Sequence, residues 1–298
     1  MKSSIVGIFL FFFIAVASAQ TLVILGTTQD AGKPQIGCQK SCCQNLNNRF
    51  FVASLGISDT KNNKNYIFDA TPDITAQYQL LSEKTGIKSI DGIFLTHAHS
   101  GHYTGLMYLG KEGMNASKIP VYAMPRLTNY LTKNGPWGQL VTLENINLNP
   151  LQSETSIRLD SSLIVIPIRV PHRDEYSETV GFKIIGAKKS ALYIPDIDKW
   201  EIWEKDIIKE VNAVDYAFID GTFFEDGEIN RPIKDVPHPF ISETVSIFKN
   251  EPLSVKNKIY FIHLNHTNPA HNQESQQRIA LEKQGFRFAS LGAQFILN

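Results

Sequence analysis

The chain has 298 residues, 43% of them hydrophobic, with 29 basic side chains against 29 acidic ones. A neutral chain without long runs of one sign offers no field to steer nucleic acid or an anionic membrane, so charge excludes both as partners. A hydrophobic fraction of this size in a chain of this length supports one large core.

In chain order, the first nineteen residues stand apart. Lys2 supplies a positive start, residues 5–16 are apolar, and Val16-Ala-Ser-Ala19 offers the small residues that a signal peptidase requires. The apolar run is shorter than the roughly 20 residues needed to span a bilayer, so the pattern predicts cleavage before Gln20 and an exported protein with no membrane association. Residues 20–298 carry no Gly/Ser- or Pro-rich linker and no internal repeat, which predicts a single domain.

Strands are expected at 22–25, 51–57 and 66–68, with a polar turn at 62–65. Between the first two lie Cys38, Cys42 and Cys43. An odd number of cysteines in an exported protein leaves two readings open, a disulfide plus a free thiol or a structural zinc site whose fourth ligand the sequence does not identify. Thr71-Pro72-Asp73 starts a helix over 73–85 with Ile74, Tyr78 and Leu81 on one face. A strand at 92–95 follows, then a helix over 103–110 and another near 126–133. Runs at 156–159, 163–169, 179–185 and 191–194 read as β-structure. The last third alternates strand 216–219, helix 241–249, strand 259–262 and helix 274–283. Two sheets packed face to face with helices outside, a four-layer αββα arrangement, accommodate this order.

The chemistry concentrates after the strand at 92–95. His97, His99 and His102 fall within six residues in a chain that has only eight histidines. On an irregular loop the first two rings can converge on one ion while the third turns to a second. Four more polar residues end strands in a way that one metal pocket would require: His172, Asp196, Asp220 and His263. Singly, a histidine after a strand is more often a hydrogen-bonding residue, and an aspartate there is commonly a helix cap or turn residue. Together with His97 and His99 they supply the further ligand that a site needs.

These residues resemble the metallo-β-lactamase fold superfamily, whose motif H-x-H-x-D-H is matched by His97-Ala-His99-Ser-Gly101-His102. Within it, the segments 25–38, 102–107, 219–224 and 263–269 are similar to the coenzyme PQQ synthesis protein B family. The resemblance implies an αββα sandwich with its site at one edge. It also implies His172 as third ligand of a first metal, Asp196 as bridging carboxylate and His263 as the last histidine. Two departures stand out. Gly101 replaces the motif aspartate, which puts a full two-metal site in question, with Asp220 a conceivable replacement carboxylate. The leader separates the chain from an intracellular task in cofactor synthesis.

The expected function is an exported zinc hydrolase acting on a small-molecule substrate, with one or two ions. Zinc on His97, His99 and His172 lowers the pKa of bound water to about 7 and polarises the scissile bond. Asp196 orients that water, and Asp220 or His266 carries the proton to the leaving group. The aromatic residues of 222–224 and of the loop 236–240 are candidates for the substrate wall, with anchoring of these loops into the core the other reading. The resemblance implies an alternative, an iron-dependent, oxygen-using hydroxylase, and imidazoles with carboxylates also suit iron. A binder of metal or ligand without catalysis is the third possibility.

Overall fold

Every residue of β2 (Ser54–Asp59) and four of five in β3 (Lys64–Phe68), β10 (Ser190–Ile194) and β11 (Tyr216–Asp220) are buried. Strands covered on both faces need a second sheet on one side and helices on the other. The computed structural model, which describes residues 20–44, 49–173 and 175–298, shows that arrangement; the leader read at 1–19 lies outside the described residues.

One sheet contains β1 (Gln20–Gly26), β2, β3, β4 (Gly92–Phe94), β5 (Ile119–Ala123) and β6 (Ile146–Pro150) in that order. The chain then crosses to a second sheet of β7 (Ile157–Arg158), β8 (Ile164–Arg169), β9 (Val180–Ile185), β10, β11, β12 (Ile259–Ile262) and β13 (Arg287–Phe288). Finally β14 (Gln294–Ile296) returns to pair antiparallel with β1, Thr21 opposite Ile296.

The period-2 alternation of β1 decides the layering. Leu22 and Ile24 point between the sheets, where they join Phe68, Phe94, Phe182, Tyr193 and Phe218. Val23 and Leu25 point outward and pack with Ile74 and Leu81 of α1 (Ile74–Thr85). The same outer core takes Leu127 and Leu131 of α3 (Pro125–Lys133) and Leu140 of α4 (Trp137–Thr142), after the short α2 (Ser100–Tyr103). On the far side, Leu192, Ile219 and Phe261 meet Ile207 of α5 (Ile207–Asn212) and Ile241 of α6 (Ile241–Ile247). Val255 of α7 (Leu253–Lys256) and Leu281 of α8 (Gln276–Lys283) complete that layer. The αββα expectation holds. Among the described residues no helix is long and apolar enough to cross a membrane.

The helix expected over 103–110 is instead α2 followed by a 3-10 segment, Thr104–Leu109. The reason is Gly105, whose N–H donates to Ala70 O at 2.9 Å rather than within a helix, and where a Cβ would collide with Thr71 O. Strand β5 carries Pro120, a residue that weakens any reading of a central strand, and was not expected from the pattern.

Strand direction fixes the position of the site. β1 and β3 are both antiparallel to β2, and β3 and β4 are parallel, so β1, β3 and β4 end on one edge. In the second sheet β8 and β10 are both antiparallel to β9, and β10, β11 and β12 are parallel. The residues that follow these strands are the candidate ligands.

Candidate metal centre

Beyond β3 and β4 the chain builds a support before it presents a ligand. Asp69, fully buried, takes the Thr96 N–H at 2.8 Å on Oδ1, with Thr96 Oγ1 at 2.9 Å. Thr96 Oγ1 also stands 2.9 Å from His97 Nδ1. His102, on α2, sets its Nδ1 2.9 Å from Asp69 Oδ2. In the second sheet His172 Nδ1 meets Asp198 Oδ1 at 2.8 Å, and His263 Nδ1 meets Thr222 Oγ1 at 2.9 Å. Four imidazoles are thus fixed through Nδ1, which orients Nε2 toward the pocket as metal-ligating histidines require. His99 is the exception: its Nδ1 faces His97 Nε2 at 2.8 Å.

Asp196 sits at the centre. Its Oδ2 lies 3.0 Å from His102 Nε2, 3.3 Å from His263 Nε2 and 4.0 Å from His97 Nε2, while Oδ1 is 3.7 Å from His172 Nε2. The ligand atoms of His97, His99 and His172 lie within 4.8 Å of one another, as do those of His97, His102 and Asp196. Nε2 of His102, His172 and His263, Oδ2 of Asp196 and Oδ1 of Asp30 are all buried without a hydrogen-bond partner. An orphaned buried polar group costs roughly 1–3 kcal/mol, and five facing one another fit a divalent cation held by imidazoles and carboxylates, such as zinc or iron.

The electrostatics suit such a site once a cation has displaced the proton of His102. Burial, together with the charge of His102, holds the His97 imidazole well below its ordinary range, and burial brings His99 down to about 4, so both rings are neutral donors at pH 7. Burial works against charge on His102 too, but the Asp69 and Asp196 carboxylates outweigh it and raise the ring well above the ordinary value. For Asp196 burial is outweighed by His263 and His102, which keep it ionised far below the usual carboxylate range.

The structure therefore brings His97, His99, His102, His172, Asp196 and His263 together. Asp220 and His266 need correction as proton carriers. Asp220 is fully buried and spent on support: Oδ1 takes Thr222 N at 2.9 Å and Thr222 Oγ1 at 2.7 Å, and Oδ2 takes Ile197 N at 3.2 Å and His238 Nδ1 at 2.8 Å. With both oxygens engaged it is not free to replace the motif aspartate. His266 instead joins the cysteine loop, its ligand atom within 4.8 Å of the thiols of Cys38, Cys42 and Cys43. These cysteines are free in the structure, and three thiols with one imidazole match the donor set of a structural zinc site. The expected aromatic wall is an anchor: Phe223, Val236 and Phe240 pack into a small cluster of their own.

Three pocket residues escaped the sequence reading. His238 was placed in the wall, yet its ring lies within ligand distance of His172 and Asp196. Asp69 and Asp30 each follow the end of a strand, the same signal carried by Asp196, but sit in segments with no histidine nearby to draw notice. The pocket opens through a cavity of about 380 Å³ lined by Asp30, His99, Tyr103, Arg173, Glu175 and Tyr176. Arg173 Nη2 stands 3.0 Å from His99 Nε2 at this mouth.

A family model described as a β-lactamase superfamily domain matches residues 64–264. The chain belongs to that superfamily. Among curated members, coenzyme PQQ synthesis protein B of Klebsiella pneumoniae is 27% identical, covering 92% of this chain and 97% of the relative. The zinc-bound structure of the corresponding protein from Methylobacterium extorquens superposes with a TM-score of 0.76 at 20% identity, over 92% of this chain and 99% of that one. A diphosphatase of the PhnP family superposes with a TM-score of 0.65 at 23% identity, over 93% and 96%. The superfamily fold is shared along nearly the whole described chain, and hydrolysis is one chemistry that it hosts.

Proposed function

We propose that this superfamily member is an exported hydrolase of small molecules that depends on zinc. The observation that carries the reading is the set of buried, unpartnered donor atoms on His102, His172, His263 and Asp196 that face one another at the common edge of the two sheets. His97, His99 and His172 would hold the ion, with Asp196 beside it. Zinc bound there supplies Lewis acidity and lowers the pKa of water to about 7.

The chain's own residues do the rest. Asp196, kept ionised, orients the attacking water. His238 holds the proton for the leaving group: burial opposes its charge, but the Asp220 carboxylate at 2.8 Å outweighs burial and raises the ring. Arg173 at the mouth meets a negatively charged part of the substrate. Residues 1–19 serve as the export signal, and cleavage before Gln20 would retain the strand Gln20–Gly26.

Assays of the mature protein with ester, lactone, lactam and phosphodiester reporters test the reading, alongside His97→Ala and His172→Ala variants that remain folded. Turnover of one reporter class that both variants abolish supports it. Oxygen uptake with iron bound would replace it with the hydroxylase, and histidine-dependent metal without turnover of any kind would leave a binder.

A further inference from the structure

The departure from the superfamily motif at Gly101 is compensated in space. A Cβ at Gly101 would collide with Asp30 Oδ1 and stand 2.6 Å from Asp30 Cα. The carboxylate of Asp30, from the loop after β1, thus fills the space into which a side chain at 101 would project.

That carboxylate faces the right atoms. Asp30 Oδ1 lies 3.1 Å from His102 Nε2 and 3.7 Å from His263 Nε2. Asp196 Oδ2 lies 3.0 and 3.3 Å from the same two nitrogens. All four atoms are buried, and none has an aligned hydrogen bond despite these separations. Two imidazole nitrogens and two carboxylate oxygens brought this close form the donor set of a cation site, in which a bound cation takes the place of the His102 proton. The backbone holds Asp30 in place. Leu264, the residue after His263, donates its N–H to Thr27 O at 2.8 Å, and Gln29 N–H donates to Leu264 O at 3.0 Å. The loop turns at once, Gly32 N–H reaching Gln29 O at 2.8 Å. Asp30 and His263 are therefore carried by two stitched segments and share one register.

We infer that Asp30 supplies the carboxylate ligand of a second divalent cation, held with His102, His263 and the bridging Asp196, in place of the aspartate missing at position 101. The inference rests on the metal-centre reading above and restores a two-ion site to a chain whose motif lacks one. A Cβ at 101 meets the backbone of Asp30 as well as its carboxylate, so a side chain there requires the Asp30 loop to shift.

Chelator-stripped mature protein is titrated with Mn²⁺, which thiolates bind poorly, so the cysteine loop is not counted. Stoichiometry is read by elemental mass spectrometry, and coupling between ions by electron paramagnetic resonance. The expected result is two ions per chain in the unaltered protein, a loss of about 100-fold or more in second-ion affinity in Asp30→Asn, and an unchanged first ion. Asp30→Ser, which removes the carboxylate without adding bulk, is expected to show the same loss. One ion in the unaltered protein, or two in Asp30→Asn with affinity within a few-fold, overturns the inference. If Asp30→Asn does not fold, Asp30→Ser decides, one ion supporting the inference and two with affinity within a few-fold overturning it. A His97→Ala/His99→Ala variant separates the two levels. If it loses an ion that Asp30→Asn keeps, the metal centre stands and the role of Asp30 falls; no bound metal in any form would remove both.

Discussion

Asp69 holds His102 from behind, with Asp69 Oδ2 2.9 Å from His102 Nδ1 and Asp69 Oδ1 accepting from Thr96 N at 2.8 Å. One buried carboxylate thereby orients a ligand histidine and the loop that carries His97 and His99. Asp69→Asn is expected to weaken metal binding by about 10- to 100-fold. Asp69→Ala leaves His102 Nδ1 and Thr96 N unpaired and should lower stability by about 3–5 kcal/mol. Metal titration and chemical denaturation check the two effects separately.

His238 is supported by Asp220 and carries the proton in the proposed mechanism. His238→Gln should reduce kcat by about 10²- to 10⁴-fold while metal content remains that of the unaltered protein. A variant that loses metal in proportion to activity would instead make His238 a ligand.

His266 belongs to the cysteine loop and not to the catalytic pocket. His266→Ala and Cys43→Ser should each remove one zinc per chain, as measured by elemental mass spectrometry, and lower Tm. The metal on His97, His99 and His172 should be retained. Activity lost from His266→Ala with zinc content unchanged would restore this residue as a proton carrier.

His271 is half-buried, its Nε2–H donating to Asn265 O at 3.0 Å, and desolvation together with the charge of Lys33 pushes its imidazole down to about 3. The folded value lies below the unfolded one of about 6.5, so the unfolded chain takes up the proton first as pH falls. The stability contribution is complete above about pH 6.5 and declines as pH falls toward 3. His271→Gln should flatten the stability curve in that window by roughly 1 kcal/mol per pH unit, with little change of slope above pH 7. Denaturant midpoints at a series of pH values provide the measurement.

The first metal ligands were legible because His97, His99 and His102 are close in sequence and follow a strong apolar strand. His172, Asp196 and His263 were legible as polar residues at strand ends. Asp69, Asp30 and His238 were not. Their roles depend on which strand ends share an edge, and that follows from pairing between segments far apart in the chain. Asp30 becomes visible only when the backbone at Gly101 is seen beside it. The αββα layering was legible from the order of strands and helices along the chain. By contrast, Gly105 redirected its N–H to Ala70 and so converted an expected helix into a 3-10 segment.

The central claim is a histidine-dependent metal at the common edge of the two sheets. Its most direct test is the metal content of the mature protein beside a His97→Ala/His99→Ala variant and a variant lacking the three cysteines. Zinc lost with the histidines and retained at that site without the cysteines is the expected result. Metal content unaffected by the histidine substitutions in a folded protein would contradict the account.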